Sequence, residues 1–100
     1  MKIKSHFTAQ LSFAPESKGG RSTPVSSGYR PAIQFPPQQD MITCVQTYPD
    51  TELVFLGDTV QAEIALLNAE EIISSLYEGQ DFDFFEGPDL IGHGTITKVH

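Results

Sequence analysis

Cysteine, basic side chains and long apolar runs are all scarce in this 100-residue chain. Cys44 is its only cysteine, which excludes an intrachain disulfide and a cysteine-based metal site. Cys44 lies in "MITCVQTY" and reads as a buried strand residue, because free cysteine packs as a small hydrophobe. No apolar stretch approaches the roughly 20 residues of a membrane helix. The N-terminus "MKIKSHFTAQ" has no apolar stretch behind its lysines, so no secretory signal is expected and the expected location is cytoplasmic. Lysine and arginine number six in total against thirteen carboxylates, for a net charge of −7. Eleven of those carboxylates fall between Asp50 and Asp89, where there is no Lys or Arg. Such a surface repels phosphate backbones and disfavours generic nucleic-acid binding. There is no internal repeat and no Gly-rich loop followed by Lys-Ser/Thr, so nucleotide hydrolysis is not expected.

What is present is a series of short alternating segments. One hundred residues fit one domain, here residues 1–100, with a single core. In "HFTAQLSFA", Phe7, Ala9, Leu11 and Phe13 share one face, a half-buried strand. "PAIQF" and "ITCVQTY" are short extended runs, separated by Pro36-Pro37, which marks a loop or an edge. "TVQAEIALL" alternates again, with Val60, Ala62, Ile64 and Leu66 inward. "NAEEIISSLYEG" breaks the period of two and predicts a short helix near residues 69–77, with Asn68 as N-cap and Gly79 as its stop. "DFDFF" places Phe82 and Phe84 on one face, and "EGPDL" puts Pro88 in a turn. The last strand, "LIGHGTITKVH", carries Gly92 and Gly94, which mark a bulge or a close backbone approach. About six strands with short turns predict an antiparallel barrel or sandwich.

The segment "GGRSTPVSSGYRP", residues 19–31, holds two of the six basic residues. Arg21 and Arg30 offer planar forks of donors suited to carboxylates and phosphates alike. One reading is a loop that docks an acidic partner or an RNA phosphate. The other is a shaped loop in which one arginine pairs with a carboxylate of the same barrel, while the glycines and prolines set its path. No Ser/His/Asp constellation and no metal-ligand spacing emerges. His93 between two glycines reads as local packing, and Asp81, Asp83 and Glu86 as the polar face of a strand.

Taken in order, "GGRSTPVSSGYRP", "LGDTV" and "GHGTITKV" resemble the C-terminal barrel domain of translation elongation factor Tu, here as a free-standing chain. The resemblance runs from about Lys4 to Val99. It implies an all-β fold, a closed six-stranded antiparallel barrel with one short helical insert. It also implies a module that is passive in chemistry; with no phosphate-binding loop and no metal-ligand spacing in the residues, no cofactor, nucleotide or metal is expected. In that family the barrel packs on a GTPase domain, touches the T-stem of aminoacyl-tRNA and docks an exchange factor. The residues carried over as a partner-binding or RNA-binding set are Arg21, Ser22, Thr23, Tyr29, Arg30, Glu86 and Gly87. The departures bear on the tRNA contacts. The family's glutamine after Gly-Tyr-Arg-Pro is Ala32, arginines flanking the Glu-Gly pair are Phe84 and Asp89, and an Arg-Thr-Thr loop is "PPQQ" at 36–39. The stretch 68–80 is also several residues longer. The expectation is therefore a protein partner, with a translation-factor component as one candidate, and tRNA or RNA as the alternative.

Overall fold

In a computed structural model that describes residues 4–15 and 23–100, six strands close into an antiparallel barrel. They are β1 (Phe7–Phe13), β2 (Ala32–Gln34), β3 (Ile42–Thr47), β4 (Thr59–Leu66), β5 (Asp81–Glu86) and β6 (Asp89–Val99). A short helix, α1 (Glu70–Ile73), lies between β4 and β5. The order around the barrel is β1-β4-β3-β2-β5-β6. Odd-numbered strands run one way and even-numbered strands the other. The β1–β2, β3–β4 and β5–β6 connections therefore share one end, called here the loop end. The β2–β3 and β4–β5 connections share the other.

The alternation in the sequence maps onto the barrel wall. Phe7, Ala9, Leu11 and Phe13 point inward from β1, and Ala62, Ile64 and Leu66 from β4. Val60 is half-buried and packs against the same core. The aromatic rings form two edge-to-face groups. Phe7, Phe35 and Phe82 fill one half, with centroids 5.6–6.3 Å apart. Phe13 packs on Phe84 at 5.1 Å and on Tyr48 at 6.4 Å in the loop-end half. Such pairs contribute roughly 0.5–1.5 kcal/mol beyond the area they bury.

Gly92 and Gly94 make room for these rings. They pair with Phe84 and Phe82 on β5, and with Phe13 and Leu11 on β1. A Cβ at Gly94 would collide with the Phe82 ring, and one at Gly92 with the Ser12 carbonyl oxygen. The glycines thus mark close approach. Gly92 also borders a register shift of β6, opposite Phe84/Phe85, while the second shift, opposite Thr8/Ala9, lies away from both glycines.

The helical insert differs from its sequence reading in its ends, and the turn at Pro88 forms as expected. The helix is one turn long and ends at Ser74, short of Gly79. Asn68 is not its N-cap: it has a φ of 56°, in the left-handed region, whereas an N-cap needs an extended φ. Ala69 occupies the cap position without a side-chain hydrogen bond, and its own burial anchors the turn. Ser74 and Ser75 then bond back to the carbonyls of Glu71 and Ile72, which ends the helix early. In the β5–β6 hairpin, Glu86 pairs with Asp89, so Gly87 and Pro88 are the two loop residues. Gly87 takes the first position with φ 55°, as a two-residue hairpin loop requires, and Pro88 takes the second.

Candidate functional site

The loop end gathers the residues singled out in the sequence that the structure describes. Residues 25–31 are pinned along the end of β3. Gly28 donates to the Gln46 carbonyl at 2.8 Å, Gln46 donates to the Tyr29 carbonyl at 2.9 Å, and Cys44 donates to the Pro31 carbonyl at 3.0 Å. Gly28 permits this path with a φ of 100°. The Ser27 hydroxyl accepts the Tyr48 backbone N–H at 2.9 Å, so that serine supports a loop backbone. Val25 exchanges both backbone hydrogen bonds with Val54, which ties the segment to the β3–β4 connection.

Of the seven carried-over residues, Tyr29 and Glu86 are brought into contact. The Tyr29 hydroxyl donates to Glu86 Oε1 at 2.6 Å, joining the "SSGYRP" segment to the β5–β6 hairpin next to Gly87. Thr23 and Arg30 are exposed at the same end. Among the described residues the Arg30 guanidinium forms no hydrogen bond or ion pair. Arg21 and Ser22, with Lys18 and the Gly19-Gly20 pair, lie outside the described residues. The shaped-loop reading thus applies to residues 25–31, with Arg30 pointing a charge to solvent.

Sequence reasoning missed two residues here. Leu53 is 47% exposed and Phe55 52% exposed, while Val54 between them is buried. "LVF" reads as one apolar segment, but period two applied to it leaves either the centre or the flanks outside. The backbone bridge to Val25 settles which. Thr51 Oγ1 donates to the Leu53 carbonyl at 2.9 Å, and Asp58 Oδ2 accepts the Phe55 N–H at 2.9 Å. These bonds hold both apolar side chains out on a fixed backbone. The residues just before them in the chain, Asp50, Thr51 and Glu52, line an open groove with Ser26, Ser27 and Tyr48.

Beneath the loop end sits a buried polar pair that the alternation conceals. The Tyr48 hydroxyl donates to Gln46 Oε1 at 2.6 Å inside the barrel. Gln46 is fully buried, and among the described residues its Nε2 finds no nitrogen or oxygen partner. An unmet buried donor costs roughly 1–3 kcal/mol. Cys44, one step further along the inner face of β3, is buried as expected. Burial pushes its thiol up to about 12, and the Gln46 side chain offsets a part of that shift. A thiol held protonated this firmly is a poor nucleophile.

On the outer face, His93 Nδ1 and Asp83 Oδ1 are 2.6 Å apart, and Thr95 donates to Asp81 at 2.8 Å. These are cross-strand pairs along β5 and β6, the polar face expected for Asp81 and Asp83, whereas Glu86, expected on the same face, falls on the other phase of the strand and turns to Tyr29. Among the described residues no three His, Cys, Asp or Glu side chains come together. Among the same residues no helix is long and apolar enough to cross a membrane. No protein-family model matches the chain.

Proposed function

We propose that this barrel is a non-catalytic docking module, related to the C-terminal domain of elongation factor Tu, whose loop end receives a protein partner. One observation carries the reading. Leu53 and Phe55 are held exposed on a hydrogen-bonded backbone, at the barrel end that also bears Arg30 and the Tyr29–Glu86 contact. Partner interfaces are built around apolar and aromatic anchors with a polar rim, and a fixed backbone lowers the ordering cost of binding. RNA needs cations instead, and this end offers carboxylates at Asp50, Glu52, Glu86 and Asp89.

The test is capture from the native cell with the wild-type chain and with a Leu53→Ser/Phe55→Ser variant, each with and without ribonuclease. A protein retained by the wild type, lost with the variant and indifferent to ribonuclease is the expected result. Titration with aminoacyl-tRNA at near-physiological salt is the companion experiment. Submicromolar binding that vanishes on Arg21→Ala/Arg30→Ala would replace the protein reading with the RNA one.

A further inference from the structure

The groove at the loop end carries information about what would sit in it. Its lining includes Asp50 and Glu52, both exposed, and among the described residues neither takes part in an ion pair. Asp58 adds a third carboxylate, already engaged with the Phe55 N–H. Leu53 and Phe55 stand directly after the two free carboxylates in the chain. No Lys, Arg or His occurs anywhere from Pro31 to Gly92, and Arg30 does not line the groove. Apolar anchors therefore lie beside negative charge that the described part of this end leaves unpaired.

We infer that the segment docking here is basic and amphipathic, with lysine or arginine side chains flanking a bulky apolar one. This rests on the docking reading above and names its partner's chemistry. The apolar side chain would cover Leu53 and Phe55, and the cations would meet Asp50 and Glu52 along the groove. Charges at the rim of an apolar contact steer encounter and reject like-charged competitors. A second copy of this chain fits poorly. A two-fold interface would bring Asp50 and Glu52 against their own counterparts, between chains of net charge −7. An anionic lipid or nucleic-acid surface meets the same repulsion.

The test uses the full isotope-labelled chain and three synthetic peptides of about 15 residues, followed by amide chemical shifts. The first peptide carries leucine at helical spacing with lysine elsewhere. The second replaces each lysine by glutamate. The third keeps the lysines and replaces each leucine by serine. The first should shift the amides of residues 50–56. Its affinity should fall about tenfold in Asp50→Asn/Glu52→Gln, with a weaker salt dependence, and fall also in Leu53→Ser/Phe55→Ser. All four positions are exposed, and a melting curve for each variant verifies that the barrel is intact. If the glutamate peptide shifts the same amides as strongly, the docking surface stands and its basic preference is wrong. If the serine peptide matches the first, the attraction is general to the acidic chain and the inference fails. If neither leucine peptide perturbs residues 50–56, both the inference and the docking reading fall. Tighter binding of tRNA at these same amides would overturn the inference in favour of RNA.

Discussion

The Tyr29 hydroxyl sits 2.6 Å from Glu86 Oε1, a hydrogen bond spanning 57 residues of sequence. It fastens the segment that follows β1 to the last hairpin and so makes one surface of two loops. A phenol donating to a carboxylate is charge-assisted, and such bonds contribute roughly 1.5–3 kcal/mol when shielded from water. This one is part-buried, so the lower end applies. Tyr29→Phe should lose about 1.5 kcal/mol. Glu86→Ala should lose at least as much, and the double variant less than the sum, because both changes remove the same bond. Urea denaturation of all three variants gives the coupling. Strict additivity would show that the contact does not form in solution.

Gly92 and Gly94 make a sharper pair. At Gly94 a Cβ would meet the Phe82 ring and come within 2.8 Å of the Leu11 Cδ2 methyl, all side-chain atoms. At Gly92 it would meet the Ser12 carbonyl oxygen, which is backbone within a paired strand, and come within 2.6 Å of the Phe84 ring. Overpacking of a filled core costs roughly 1–3 kcal/mol, and more where nothing can yield. Gly92→Ala should therefore be the more damaging. Phe82→Leu should restore part of the stability lost in Gly94→Ala, while Phe84→Leu should not restore Gly92→Ala. Thermal melting of the four variants checks this. Equal rescue at both positions would mean that β1 gives way at Ser12.

The barrel itself was legible because its wall is built from period two. Phe7, Leu11, Ile64 and Phe82 each lie where alternation places them, and the turns carry Gly and Pro. The helix was legible as an interruption, but not in its ends. Asn68 has the chemistry of an N-cap, yet it takes a positive φ, which an N-cap does not. Leu53 and Phe55 could not be placed because three apolar residues in a row fit either phase. The deciding contact, Val25 with Val54, comes from 29 residues away. Gln46 shares the inner face of β3 with Ile42 and Cys44, although a glutamine is an unusual core residue. Register against β4 and the bridge to Tyr29 fix it there, where the Tyr48 hydroxyl meets it. Position in space, not residue type, separates these cases.

Leu11 tests the core directly. It is fully buried and faces Gly94 across the β1–β6 pair. Leu11→Ala removes a side chain where the surrounding rings are held by their own contacts, so the site collapses poorly. The expected loss is roughly 2–5 kcal/mol in chemical denaturation. A loss under about half a kcal/mol would mean that Leu11 does not share the core with Phe7, Phe13 and Ile64.

Cys44 links the core to pH. In the folded chain its thiol is pushed up from 9.0 to about 12 by burial. The folded state therefore keeps its proton over a range in which the unfolded state gives it up. Below pH 9 both states are protonated and the group is neutral to stability. As pH rises from about 9 toward 12 the unfolded state alone ionises, and stability falls by up to roughly 1.4 kcal/mol per pH unit. Tyrosines and lysines titrate in the same window, so the informative quantity is a difference between proteins. Cys44→Ala lacks the thiol and should lose less stability than the wild type between pH 8.5 and 10.5, whatever its offset at neutral pH. Parallel curves for the two proteins would show that the thiol reaches water. Alkylation supplies a second readout: at pH 8 the folded wild type should react with iodoacetamide far more slowly than the urea-unfolded chain. Its rate should follow the fraction unfolded rather than the fraction of thiolate expected for an exposed cysteine.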